Sequence, residues 1–400
     1  MQRRRNKKWI VRLGAFLVGV ATAQASVELG IDVLADHDYS LLAGKRVGLI
    51  TNQTGTNGAG AKTRLLLKRH CNLVALYTPE HGLDGTEKAG RYVKSRRDPG
   101  TGLIAHSLYG PTRKPTPEML RGIDVLVFDL QDIGCRSYTY ISTMGRCMEA
   151  AGENKIPFVV LDRPNPVGGL RIEGPSVDPQ WISFVSQFPI PYVHGMTVGE
   201  LARMVNGWHW MAAQCDLTVV QMHGWERGMT WSDTGLRWIP SSPNIPRSDS
   251  PLYYIATGLV GELSGPESGI GGPRPFQSIA ASWLDAASFT RYLRSLDTPG
   301  VEFRPFREGR YEGSSLTIAP DARAHLTGLG IYMLAEMNRL SQPDMFRRTS
   351  PNKLDIFTKV CGGTFIQAQV KSGKSPRQII ADWRPNEQEF RRIRTQYLLY

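Results

Sequence analysis

Four apolar runs in the first half of the chain each end in a cluster of polar residues, and this repetition restricts the fold more than any other feature. Lys45–Ile50 leads into Thr51, Asn52, Gln53, Thr54 and Gly55, and Leu73–Tyr77 leads into Pro79, Glu80, His81 and Gly82. Val125–Phe128 leads into Asp129, Leu130, Gln131 and Asp132, and Phe158–Leu161 into Asp162, Arg163, Pro164 and Asn165. Helical patterns fall between them at 61–70, 117–121 and 138–154, the last with Ile141, Met144, Cys147, Met148 and Ala151 spaced for one buried face. Strands alternating with helices in this order predict a parallel sheet with right-handed crossovers. Ligands bind such a sheet outside the carboxyl ends of its strands, so four polar strand ends predict one shared site.

The expected class is therefore α/β, a Rossmann-like parallel-sheet domain over 26–191 followed by a smaller mixed α+β domain over 192–400. The second domain is expected to open at a helix starting near Thr197, where Glu200 completes a capping box. A strand near 217–221, an irregular Trp- and Pro-rich stretch at 225–251, a Gly-rich loop at 261–272 and helices near 285–295, 325–338 and 376–397 fill the rest. Residues 1–25 read as an export signal: a basic start, an apolar stretch from about Leu13 to Ala23, and small residues before a cleavage point after Ala25. The apolar stretch is well short of the roughly 20 residues of a spanning helix, so no stable membrane anchor is expected. The chain is read as exported, periplasmic or extracellular.

Removing 1–25 takes away Arg3, Arg4, Arg5, Lys7, Lys8 and Arg12 and no acid, which lowers the formal charge from +12 to +6. Half of the basicity is thus targeting, and without an aromatic-basic motif the remainder does not point to nucleic acid. Cys71, Cys135, Cys147, Cys215 and Cys361 are far apart, with no Cys-x-x-Cys spacing for zinc and no disulfide framework. Gly55, Gly58 and Gly60 follow the first strand in the wrong order for a dinucleotide fingerprint, and Pro79-Glu80-His81 stands where a ribose-binding acid would be. No cofactor is expected. His81 and His194 lack a spaced second histidine, so no metal is expected either.

Glu80 is the foremost candidate for chemistry, a carboxyl at the tip of an apolar strand where burial or His81 can tune it for acid/base work. Glu173 and Asp132 are the candidates for a second carboxylate, since glycoside hydrolysis usually needs a pair flanking one bond. Asn52, Gln53, His81, Tyr138, Asp162, Asn165, His194 and Asn244 are candidate substrate-binding residues. Arg136 and Arg163 are candidates for neutralising an acidic substituent, or for structural pairing with the nearby aspartates.

Taken in order, Thr51-Asn52-Gln53-Thr54-Gly55, Pro79-Glu80-His81-Gly82, Gln131-Asp132-Ile133-Gly134, Arg136 with Tyr138-Thr139-Tyr140, Asp162-Arg163-Pro164-Asn165-Pro166, Glu173-Gly174-Pro175 and His194-Gly195-Met196-Thr197 give a sequence that resembles the bacterial exo-β-N-acetylmuramidases. The resemblance implies a cleft between the two domains, a catalytic role for Glu80, and removal of N-acetylmuramic acid from the non-reducing end of peptidoglycan-derived muropeptides or disaccharides. One departure stands out: Ile270 occupies a place where the family pattern leads one to expect an arginine, with Arg274 close by as a substitute. Two other readings keep the same polymer as ligand: a non-catalytic cell-wall sugar-binding protein, and an amidase or esterase.

Overall fold

The computed structural model describes residues 26–400, and the expected export signal at 1–25 lies outside the described residues. Seven strands form the main sheet: β1 (Arg46–Thr51), β2 (Asn72–Thr78), β3 (Arg96–Arg97), β4 (Ile104–Ser107), β5 (Val125–Asp129), β6 (Phe158–Leu161) and β7 (Leu217–Val220). Their order is β3-β4-β2-β1-β5-β6-β7, and every pairing is parallel except β3 with β4. β5 and β6 are buried along their whole length, which is why they read as continuous apolar runs rather than alternating ones. The chain builds outward from β1 to β2 and β4, then returns to lay β5, β6 and β7 on the other side. The carboxyl ends of β1 and β5 are thus the switch point at which such sheets open a crevice.

Helices cover both faces. α1 (Gly30–Asp36) and α2 (Thr63–His70) share an apolar cluster with β1 and β2, while α3 (Tyr140–Glu153) and α4 (Val198–Gly207) close the other side. Gly30 lets α1 approach β6 closely, because a Cβ there would stand 2.5 Å from the Asp162 backbone nitrogen.

The expected division near residue 191 does not follow the sheet. β7 completes the open edge of β6, and α4 packs on both strands with Gly199 against Asp162 and Val219. An unpaired β6 edge would leave buried backbone groups without partners, so the segment to about residue 220 is held by the first unit.

The second unit begins with α5 (Ser250–Gly261), which the sequence pattern concealed, and carries an antiparallel sheet in the order β8-β10-β9: β8 (Ser278–Ala281), β9 (Val301–Glu308) and β10 (Tyr311–Ile318). α6 (Ala286–Arg294) covers that sheet, and α7 (Leu326–Leu340) packs on α5. One apolar core runs from Phe128 and Met144 through Phe188 into Ile255, Leu329 and Trp383, so the two units are welded rather than hinged on a thin contact. Beyond the long helix Pro376–Arg394 the chain returns to the first unit. There Tyr400 donates its hydroxyl proton to Asp162 Oδ2 at 2.8 Å and accepts from Met222 N at 2.8 Å.

No helix of the described residues is long and apolar enough to cross a membrane. All five cysteines are unpaired, and burial raises the thiols of Cys135 to about 11 and Cys215 to about 12.

Arg136 ties these parts together. It is fully buried, and donates to the carbonyls of Pro175 (2.6 Å), Ile190 (2.6 Å) and Val360 (2.9 Å) and to Ser186 Oγ (3.1 Å). Val360 belongs to a helix of the second unit, so the guanidinium bridges both. Arg136→Met should lower stability to urea by about 3–5 kcal/mol, because several buried acceptors lose their donor at about 1–3 kcal/mol each. An equilibrium unfolding curve displaced by less than about 1 kcal/mol would show that the junction does not depend on it.

Candidate active site

The sheet brings Glu80 to the carboxyl edge two residues beyond the end of β2. Its Oε1 accepts from Gly90 N at 2.7 Å, and its Oε2 accepts from Thr139 Oγ1 at 2.7 Å. Thr139 is the N-cap of α3, so the carboxylate faces the positive end of a 14-residue helix. Tyr109 also faces it: burial, then the charge of Glu80, pushes the phenol well above its ordinary range. Glu80 remains 9% exposed, the most accessible of the candidate carboxylates. His81 takes a left-handed backbone (φ 70°), and its Nδ1 donates to the Glu87 carbonyl at 2.6 Å. It shapes the loop whose Gly90 reaches Glu80, a supporting role rather than the expected contact with substrate.

Loops from the second half of the chain close over this edge. Gln53 Nε2 donates to the carbonyls of Pro240 (2.8 Å) and Ser241 (3.0 Å), and Tyr138 donates to Ser241 Oγ at 3.0 Å. Asn244 Oδ1 accepts from Gly271 N at 3.1 Å and so fastens the Gly-rich loop. Ile270 in that loop is 52% exposed over a depression lined by Phe306, Glu308 and Tyr311.

Several expected binding residues turn out to be internal supports. Asn52 is fully buried: Oδ1 accepts from Thr54 N and Thr54 Oγ1, and Nδ2 donates to Tyr140 Oη at 2.9 Å. Asn165 builds a turn, accepting from Val167 N and donating to the Met196 carbonyl. Asp162 accepts from Arg163 N, Thr197 Oγ1, Gly199 N and Tyr400 Oη, which docks the start of α4 onto β6. Arg163 pairs with Asp129 at 2.6 Å and donates to the Thr56 carbonyl, and Arg136 has the role described above. None of these five side chains is free to take a sugar, because burial in low dielectric forced each to find its partners within the protein.

Glu173 is likewise committed, to Arg171, to Thr327 N at 2.8 Å and to His325 at 3.5 Å. Burial alone would raise its pKa, but His325 and Arg171 outweigh burial and hold it below its ordinary value. It lines a cavity of about 590 Å³ at the ends of β6 and β7, with Arg227, Arg323 and Arg391. Glu80 does not line that cavity.

Asp132 and His194 form a different pair. Asp132 Oδ2 accepts from Gly134 N at 2.7 Å, while Oδ1 is buried with no partner. His194 Nδ1 accepts from Met196 N at 3.2 Å, which leaves the ring proton on Nε2, also unpartnered, 4.0 Å from Asp132 Oδ2. Burial pushes Asp132 up to about 7 and His194 down to about 3, so the histidine is neutral and the carboxyl holds its proton below about neutral pH.

Thr139, Tyr109, Gly90 and Ser241 were not marked as candidates by the sequence. Tyr109 was hidden because β4, the strand before it, is only four residues long and contains His106 and Ser107. Among the described residues no three His, Cys, Asp or Glu side chains cluster as metal ligands.

Models of the exo-β-N-acetylmuramidase NamZ family match nearly all of these elements, the N-terminal model over residues 47–249 and the C-terminal model over 252–400. The chain is 40% identical over 385 residues to the peptidoglycan β-N-acetylmuramidase NamZ of Bacillus subtilis (strain 168), covering 94% of this chain and 91% of that protein. Two crystal structures of DUF1343 family proteins from Bacteroides fragilis NCTC 9343 share the fold. One has a TM-score of 0.88 at 43% identity and the other 0.71 at 28%, each covering 94% of this chain and 99% of the other. The chain belongs to the exo-β-N-acetylmuramidase family.

Proposed function

We propose that this protein is an exo-acting glycoside hydrolase that releases N-acetylmuramic acid from the non-reducing end of peptidoglycan fragments. The observation that carries the reading is Glu80, held between the Gly90 amide and the Thr139 hydroxyl at the open edge of the sheet. Two fixed donors and a helix N-terminus suit a carboxylate that must meet developing positive charge at a sugar carbon. Asp132 is the better-placed second carboxylate. It follows β5, only two strands from β2 or about 10 Å at ~4.8 Å per strand, and its raised pKa lets it keep a proton near neutrality. The basic, apolar and small-residue pattern of residues 1–25 supports export to the compartment that holds the polymer.

The mature protein is expected to release chromophore from a chromogenic N-acetylmuramide and not from the N-acetylglucosaminide. Binding without release would favour a sugar-binding protein. Release of lactate or peptide instead of sugar would favour an esterase or amidase. Glu80→Gln keeps the shape but cannot exchange a proton, so turnover should fall by about 10²–10⁴ with folding retained. A variant that keeps more than about a tenth of the activity would remove Glu80 from the acid/base role.

Prolonged EDTA treatment should leave turnover unchanged, because no side-chain cluster with metal-ligand geometry converges among the described residues. Loss of activity restored by a divalent cation would overturn this.

Asp132 also sets a pH dependence of stability. Its carboxyl rises from 3.8 to about 7 on folding, so across that window the folded state holds a proton that the unfolded chain has released, and stability falls as pH rises. Asparagine never ionises. The melting temperature of Asp132→Asn, relative to the unaltered protein, should therefore climb from about pH 4 to about pH 8. A difference that stays flat or declines would show that the native carboxyl is not raised.

A further inference from the structure

Arg136 and Arg163 are spent on internal contacts and Ile270 cannot bind an anion, so the cation that reads an acidic sugar is either the exposed Arg274 of the Gly-rich loop or a residue nearer Glu80. Arg113, in the loop after β4, has the required surroundings. Its Cζ stands 3.5 Å from the centroid of the Tyr109 ring and 5.0 Å from that of Phe184, two rings whose own centroids are 6.0 Å apart. Its Nη1 is buried with no hydrogen-bond partner. Arg64, Arg348 and Arg394 also carry one unbonded nitrogen, but each binds a carboxylate or carbonyl through another. No carboxylate or carbonyl among the described residues binds Arg113. Tyr109 faces both the guanidinium and the Glu80 carboxylate, so a single side chain separates the free cation from the acid/base group.

We propose that Arg113, clamped between Tyr109 and Phe184, is the specificity-determining residue that binds the lactyl carboxylate of N-acetylmuramic acid. The proposal rests on the glycosidase reading above. A planar guanidinium matches a carboxylate with two parallel hydrogen bonds, and the flanking rings fix its plane and keep water from competing. The cation also serves an electrostatic need: a substrate carboxylate approaching Glu80 would be repelled unless a positive charge stood beside it.

Calorimetric titration of free N-acetylmuramic acid and of its lactyl amide tests this, using the mature protein, Arg113→Gln and Arg113→Lys. The unaltered protein should bind the acid roughly 10- to 100-fold more tightly than the amide, the span of one charge-assisted pair. In Arg113→Gln that ratio should fall to about one, and Arg113→Lys should retain part of it. No acid preference in the unaltered protein, no binding of either ligand, or a preference that survives Arg113→Gln would each overturn the proposal. Titration of the unaltered protein remains decisive even where a variant does not fold. An acid preference lost in Arg113→Gln, with no chromophore released from the N-acetylmuramide, would leave Arg113 standing and remove the glycosidase reading. Release without acid preference would do the reverse.

Discussion

The junction of the two units depends on a buried cation without a buried anion. Arg136 sits three residues before the N-cap of α3 and is satisfied by three carbonyls and a hydroxyl, and burial lowers its pKa to about 10. Carbonyl dipoles fix the guanidinium from several directions at once, so the loop around Pro175, the turn at Ile190 and the helix ending near Val360 must keep their places together. The loop that carries Thr139 to Glu80 starts at this anchor. Geometry at the open edge of the sheet is thus set by a residue that never reaches the surface.

Asp162 does the corresponding work on the other flank. A carboxylate receiving four donors from β6, α4 and the last residue of the chain is an internal clasp, and burial still pushes it up to about 6. Together the two groups explain why so many polar residues surround the crevice while few are free in it. Parallel strands end in backbone groups and helix starts that need partners, and side chains at those ends are drawn into meeting that need before they can meet a ligand.

That same competition marks how far the sequence could be read. The main sheet was legible because β1, β2, β5 and β6 are continuous apolar runs closed by polar residues, and α3 showed a clear buried face. α5 was not: buried nearly all round, with Pro251, Gly258 and Gly261 in its length, it lacks the one-sided pattern that identifies a helix. β9 exposes Glu302, Arg304, Arg307 and Glu308 and reads as polar chain. In the site, Glu80 was legible as a strand-tip carboxylate, whereas Asn52, Asp162, Asn165 and Arg163 looked the same in sequence as residues that bind ligands. Residue type and position along a strand reveal that a polar group stands at the edge; only the three-dimensional arrangement reveals whether its bonds are already taken.

The five separate thiols carry a consequence for the conditions under which the protein can assemble. None is within bonding reach of another, and four of them are buried, with pKa values that burial raises. Thiolate is the reactive form, so these side chains behave as small apolar residues and neither seek an oxidant nor fear a reductant. Disulfide cross-links contribute nothing among the described residues, and once the chain is folded the four buried thiols are shielded from oxidant and reductant alike.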